Sequence, residues 1–370
     1  MPSTVVPTDP ELAALLPVPR EAAQRFESAR SDLVARVDAG LFRRPDLGVL
    51  LGDATSSSVR ELHRYLAAFF SSVYELGVPE MLRDGLPRLL AGYRSRGLSD
   101  DYFEVLPELW CQALQDQLGA RSQPLRRVWD WMRDHPDAWV PQPDGPGAHP
   151  ELSEVAVRLL DALLTGDAPG ARSVIQQALQ EGAGVDEVFV EVIQPALYEI
   201  GHRWEHGRIS AAQEHLASGL VARILATLDD GGPAREGRLA VVTTAPTETH
   251  EFGAWMVADV LRNAGWSVRF LGSQLPVAEI LHYLRQVGPA LLCVSVTLEI
   301  HLPSLRHLVA ALRDDPELAE TRVLVGGQAF GPGERVWKTT GADALAGDAR
   351  QVVTAAERLV AERGADPPRH

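Results

Sequence analysis

The apolar positions of this chain change their period along its length. Between about residue 20 and residue 140 they recur at three- and four-residue steps, through Val59–Leu76, Met81–Arg94 and Tyr102–Leu118, the spacing of one face of an α-helix. Strand-like alternation is missing, so this block predicts an all-α region. The helical period continues in Val155–Leu164, Ala171–Glu181, Val185–Glu205 and Ser210–Leu228, four segments with short connections that predict a small four-helix bundle. After residue 238 the pattern breaks into short β-rich runs, Leu239–Thr244, Ser267–Leu271, Leu291–Val296 and Val323–Gly326. These alternate with helical stretches at Phe252–Ala264, Val277–Val287, Leu302–Arg313 and Gln351–Arg363. Such βαβ repetition predicts a doubly wound parallel sheet with helices on both faces.

Two breaks separate the blocks. Pro141–Pro150 holds four prolines and two glycines and cannot continue a helix, and Asp229–Gly237 is a second, shorter linker. The expected domains are therefore 1–140, 151–230 and 237–366. No apolar run approaches the ~18–20 residues of a membrane span, and the first residues lack the basic start and apolar stretch of a secretory signal. The expectation is a cytoplasmic protein without a membrane partner. Cys111 and Cys293 lie far apart in apolar segments and read as buried free thiols. A net charge of −15 opposes nucleic-acid binding, which depends on basic patches that neutralise phosphates.

In a doubly wound sheet, ligands bind beyond the carboxyl ends of the strands where strand order reverses. The loop after the first predicted strand reads Thr247-Glu248-Thr249-His250-Glu251-Phe252-Gly253. Ser295-Val296-Thr297 follows the third strand, and Gly326-Gly327 the fourth. Over about 130 residues this set resembles the cobalamin-binding domains of methionine synthase, the mutases and the light-sensing cobalamin proteins, whose pattern is Asp-x-His-x-x-Gly, then Ser-x-Leu or Ser-x-Thr, then Gly-Gly. The resemblance implies a Rossmann-type, flavodoxin-like fold with His250 as lower axial ligand of cobalt, the nucleotide tail lying in a slot lined by Ser295 and Thr297 and closed by Gly326 and Gly327. A ligating imidazole needs its other nitrogen to donate to a carboxylate, and Glu248 can supply it. The usual residue there is Asp, so the reach is longer by one methylene. Gly253 would let backbone lie against the corrin edge.

The bundle carries Trp204, nine intervening residues, then Glu214-His215. That spacing resembles the cap of the adenosylcobalamin-dependent photoreceptors, in which the tryptophan packs against the adenosyl group while glutamate and histidine contact it. A histidine directly after the tryptophan can bind cobalt once the adenosyl group has left. Here that place is Glu205, with His202 and His206 as nearby substitutes.

Transcription-factor members of that group begin with a short basic winged helix, whereas residues 1–150 here hold 21 acids against 16 arginines. The region is of globin size, and Leu89–Phe103 is similar to sensor globins. Globin-like helices followed by cap and cobalamin fold resemble the photocobilins, which add biliverdin to cobalamin. A bilin needs an apolar slot, cations for two propionates and a polar partner near its pyrrole nitrogens. Arg94 and Arg96 are the cation candidates, His63 and Tyr93 the polar partners, and Tyr102, Phe103 and Trp110 the walls, with Cys111 in a setting that favours noncovalent binding. A haem globin or a dimerisation bundle without chromophore are the alternatives for this block.

The sequence thus predicts a non-enzymatic light sensor that binds adenosylcobalamin and biliverdin and signals through a light-dependent homo-oligomer or a separate effector. The alternative is a corrinoid methyl carrier or mutase subunit that works with a separate catalytic protein.

Overall fold

The computed structural model describes residues 10–141, 152–228, 238–331 and 335–363. Apart from Pro141, both linkers expected from the sequence lie outside the described residues. The chain divides into two compact units. One comprises Met1–Gly147 with Glu205–Gly207 and Gly331–Val336, the other Ala148–Trp204, Arg208–Phe330 and Trp337–His370. Among the described residues, no helix is long and apolar enough to cross a membrane.

The first unit is helical, with α1 (Pro10–Leu15), α2 (Arg20–Phe42), α3 (Leu47–Leu51), α4 (Ser56–Leu76), α5 (Leu86–Ser95), α6 (Asp100–Leu118) and α7 (Gln123–Asp134). Local chemistry sets the ends of α4: Thr55 accepts the Ser58 N–H, and Gly77 closes the helix in the left-handed conformation. The expected helix over Met81–Arg94 begins instead with a π-helical turn, Met81–Gly85, that runs into α5. The apolar faces of α2, α4, α6 and α7 meet in an aromatic core. Trp129 stacks on Trp110 at 5.1 Å and on Phe70 at 4.0 Å between ring centroids, and each fully buried ring of this kind stabilises the fold by about 1.5–3 kcal/mol.

The second unit opens with α8 (Glu154–Thr165), α9 (Ala168–Gln180), α10 (Val185–Val188), α11 (Gln194–Glu205) and α12 (Ala211–Leu228), where a π-helical turn at Phe189–Ile193 joins α10 to α11. Strands β1 (Leu239–Thr244), β2 (Ser267–Phe270), β3 (Leu291–Ser295), β4 (Arg322–Gly326) and β5 (Ala344–Ala346) follow, interleaved with α13 (Phe252–Asn263), α14 (Val277–Val287), α15 (Leu302–Arg313), α16 (Arg335–Lys338) and α17 (Ala349–Arg363). All strand pairs are parallel, in the order β2-β1-β3-β4-β5. That order reverses between β1 and β3, so the loops after these two strands diverge over the crevice where such sheets hold ligands.

Helix α13 is used on two sides. Ala254, Ala258 and Leu261 pack on the sheet with Ala240, Val242 and Leu291. Met256 and Val260, on its opposite side, join a core with Leu160, Phe189, Ile200 and Leu220 of the preceding helices. Arg350 also pairs with Glu191 at 3.0 Å, and the Tyr198 hydroxyl on α11 faces Gln328 just beyond β4. The helices α8–α12 are thereby anchored beside the segment that enters α13, directly after His250.

Candidate functional site

Strand β1 ends at Thr244, and Ala245 N–H donates to the Ser295 carbonyl of β3 at 2.9 Å. The chain then turns through Thr247, at φ +70°, before reaching Glu248. Thr247 and Gln274 are the only non-glycine residues with positive φ among the described residues. Gln274 N–H donates to the Glu248 carbonyl at 3.1 Å, so both strained positions sit against Glu248. Strain of this kind costs on the order of 1–3 kcal/mol per residue and persists only where surrounding structure holds it.

The Glu248 side chain is fully buried. Its Oε1 accepts the backbone N–H of Thr249 at 2.9 Å, that of His250 at 3.1 Å and His250 Nδ1 at 2.5 Å; Oε2 accepts the N–H groups of Thr297 and Leu298, each at 3.1 Å. A buried carboxylate is tolerated when its lone pairs are met in this way. Burial pushes its pKa up, yet the hydrogen bond from His250 and the charges of His250 and His301 outweigh burial and hold it at about 2. One oxygen of this longer side chain reaches the Thr249 and His250 backbone while the other ties down the loop after β3.

His250 keeps about half of its side chain exposed, at 51 %. With Nδ1 donating to Glu248, the ring lone pair lies on Nε2, the arrangement that a metal-ligating imidazole requires. The residues fit cobalamin in this sense: an imidazole oriented by a buried carboxylate, on the loop that leaves β1 at the switch point.

The glycines have packing reasons of their own. A Cβ on Gly327, at φ +112°, would lie 2.2 Å from the Val296 carbonyl oxygen, and one on Gly326 would lie 2.9 Å from that of Ala346. A Cβ on Gly253 would come within 3.1 Å of Ser295 Oγ. Gly327 therefore lets the turn after β4 close onto Val296, whose N–H donates to the Gly326 carbonyl at 2.8 Å.

His301 was not anticipated from the sequence. It ends the short turn before α15, with Nδ1 3.2 Å from Thr247 Oγ1 and Nε2 3.8 Å from Glu248 Oε1. Burial lowers its pKa, the Glu248 carboxylate opposes that shift, and the neighbouring His250 adds to it. Its place on the loop after β3, at the switch point, was the signal that could have singled it out.

Trp204 stands in the last turn of α11, and Glu214 and His215 in the first turns of α12. Trp204 is 37 % exposed, one of few large apolar side chains at the surface. Glu214 holds His215 Nδ1 at 2.5 Å and accepts from Ser218 Oγ at 2.6 Å, while His215 is largely exposed. His202 and His206 flank Trp204, both partly buried.

In the first unit the bilin candidates fall into two sets. His63 is completely buried, with Nδ1 2.6 Å from Asp38 Oδ1 and Nε2 2.7 Å from the Tyr102 hydroxyl; Asp38 also pairs with Arg60. Tyr102, Phe103 and Trp110 are buried walls of a filled core. Burial raises the Tyr102 pKa far above its ordinary value and that of Tyr93 to about 12. Nearer the surface, Arg94 donates to the Pro141 carbonyl and pairs with Asp100 at 2.6 Å, and Arg96 lies over the Tyr93 ring at 5.6 Å.

Comparison with known proteins bears on the second unit. Residues 155–229 and 238–357 each match a family described as B12 binding domain. The chain is 30 % identical over 193 residues to the HTH-type transcriptional repressor CarH of Myxococcus xanthus, a match that takes in 52 % of this chain and 63 % of that protein. It is 24 % identical over 213 residues to the dimethylamine corrinoid protein of Methanosarcina barkeri, covering 56 % of this chain and 98 % of that one. The solved monomethylamine corrinoid protein of Methanosarcina barkeri shares the fold, at a TM-score of 0.50, with 18 % identity over 56 % of this chain and 98 % of that chain.

Proposed function

From a chain that carries two B12 binding domains and is a cobalamin-binding protein, we propose a light sensor in which His250 is the lower cobalt ligand of adenosylcobalamin. The observation that carries the ligand assignment is the 2.5 Å bond between His250 Nδ1 and the buried Glu248 carboxylate, which presents Nε2 at the strand ends. Bound adenosylcobalamin supplies a cobalt–carbon bond that light cleaves. This chain's residues then act around it. His250 would hold the cobalt, Ser295, Thr297 and the Gly326-Gly327 turn would hold the nucleotide tail, and Trp204 with Glu214 and His215 would hold the adenosyl group. The indole of Trp204 is 37 % exposed, an apolar surface of the kind that marks a binding site. Trp204 and α11 would be the element that responds to a change on that side of the cofactor, a two-state element able to alter contacts with a second copy or an effector. The domain layout proposed with it is sensor 1–140, cap 151–230 and cobalamin domain 237–366.

Biliverdin in the first unit is the part of the proposal that rests on resemblance alone. Tyr102 and Phe103 pack edge to face, Trp110 is stacked on Trp129, and Arg94 is engaged by Asp100, so a bilin would have to open this core to enter.

The second reading is a corrinoid methyl carrier, favoured by the match that spans 98 % of the dimethylamine corrinoid protein. Dark-purified protein loaded with adenosylcobalamin separates the two. Bands that convert to cob(III)alamin under green light, with a change in assembly, support the sensor, and a far-red band supports biliverdin. Methyl transfer in darkness with a partner methyltransferase, and no response to light, would replace the sensor by the carrier. A His250→Ala protein that retained an imidazole-ligated spectrum would remove the ligand assignment from both.

A further inference from the structure

Directly after Trp204 the chain turns through Glu205–Gly207, and these residues belong to the first unit. We propose that Gly92 is a positioning residue for Trp204: by leaving room for the Glu205 backbone it sets where the indole stands, and so which group the site accepts on the upper side of cobalt. The inference rests on the reading of Trp204 as a residue that holds the adenosyl group.

The turn is closed on itself. Gly207 adopts the left-handed conformation, at φ +66°, and the Arg208 N–H donates back to the Arg203 carbonyl at 2.8 Å, the pattern of a Schellman ending to α11. A turn tied in this way has little freedom to absorb a push at its middle. Trp204 is joined to Glu205 by one peptide bond and moves with it.

The surface that receives the turn lies on α5. A Cβ on Gly92 would stand 2.9 Å from the Glu205 carbonyl oxygen and 3.6 Å from Glu205 Cβ, and one on Gly207 would stand 3.2 Å from Arg96 Cγ. Arg96 follows Gly92 by four residues, the spacing of neighbours on one helix face. Burial raises the Tyr93 hydroxyl to about 12, and among the smaller contributions Arg96 opposes that rise while Glu205 adds to it. Glycine weakens a helix interior, and the room that Gly92 leaves in α5 is taken by the Glu205 carbonyl.

The consequence differs from that of an ordinary helical glycine. Alanine in its place favours a helix, so Gly92→Ala would only strengthen α5 if nothing faced it. Here the added methyl meets a carbonyl, and backbone must give way. The displacement passes to Trp204 and spoils the fit on the upper side of cobalt, while His250 and the residues of the tail slot keep their places.

The test measures binding of adenosylcobalamin and of hydroxocobalamin, whose upper group is no larger than water, to the full chain in darkness. Gly92→Ala should weaken adenosylcobalamin about fivefold to twentyfold, the scale of a displacement well under 1 Å at a fitted group, and leave hydroxocobalamin within about twofold of the parent. Hydrogen exchange in the last turn of α11 should quicken in the same variant without any cofactor. Gly48→Ala is the control, since a Cβ there would meet nothing within 4 Å, and should change neither affinity. Arg96→Ala removes the second support without adding an atom, should shift selectivity the same way by a smaller factor, and carries the test if Gly92→Ala fails to fold. Equal loss for the two cobalamins, no loss for either, or unchanged exchange in α11 would overturn the role of Gly92. Trp204→Ala tells the two failures apart: a selective loss of adenosylcobalamin there leaves the reading of Trp204 standing, and no selective loss removes both.

Discussion

Glu248 Oε2 accepts the backbone N–H of Thr297 at 3.1 Å across two loops that are 49 residues apart in the chain. One buried carboxylate thus fixes the separation of the strand ends that frame the candidate site. Its folded pKa, about 2, lies below its ordinary 4.5. A depressed acid of this kind contributes stability that is present in full above pH 4.5 and is lost as pH falls toward 2. The size is on the order of 3 kcal/mol at 1.36 kcal/mol per unit. Urea unfolding of the metal-free protein between pH 7 and pH 3 should show about 2 kcal/mol of this loss, since pH 3 is still above the folded pKa. Glu248→Gln should begin less stable by a comparable amount and depend less on pH; parallel pH profiles for the two proteins would contradict the assignment.

Gly327 and Gly288 both have positive φ, at +112° and +56°, but only Gly327 faces backbone where a Cβ would stand. Gly288→Ala should cost about 1 kcal/mol, the penalty of the left-handed region for a residue with a side chain. Gly327→Ala must also displace the Val296 carbonyl, and should cost more than about 3 kcal/mol. Denaturant midpoints of the two variants, compared at constant m-value, measure the difference.

Tyr102 is the inner partner of His63 at 2.7 Å, and both side chains are buried. Tyr102→Phe removes one hydroxyl and leaves His63 Nε2 without its partner, a loss of about 1–3 kcal/mol. Unfolding of the variant relative to the parent tests it, and a neutral result would mean that water replaces the phenol.

Cys111 and Cys293 have thiol pKa values pushed up by burial to about 11 and about 12. At pH 8 the thiolate of Cys111 is then a fraction on the order of 10⁻³ and that of Cys293 about tenfold lower. Iodoacetamide should leave both unmodified in the native protein over an hour and alkylate both in guanidinium. Mass spectrometry after timed labelling reads the outcome. Any biliverdin that the protein takes up should accordingly be extractable by acidified organic solvent, without a thioether to Cys111.

Much of this protein was legible from its period alone. Apolar spacing located β1, α14 and α15 with the bounds they have in the structure, because a helix face and a strand each repeat over enough residues to declare themselves. The alternation of β and α segments implied a parallel sheet, and the rule that ligands lie beyond strand ends drew attention to Glu248, His250, Thr297 and Gly327. Strand β5 was missed, since Ala344–Ala346 is three residues long and too short to show alternation.

Tertiary structure decided what local pattern does not encode. Strand order had to be seen before β1 and β3 could be named the switch point. His301 lies 53 residues from Glu248 and reaches its carboxylate only because both loops leave the same edge of the sheet. Gly327 was expected to close a slot at the strand end, and only the structure shows that the backbone it makes room for is that of Val296. His63 read as a polar group awaiting a partner, but folding had already supplied Asp38 on one side and Tyr102 on the other. A sequence declares which groups are available at each position. Which of them meet depends on packing between distant segments, and that packing settles whether a polar side chain is satisfied by the protein or presented to a ligand.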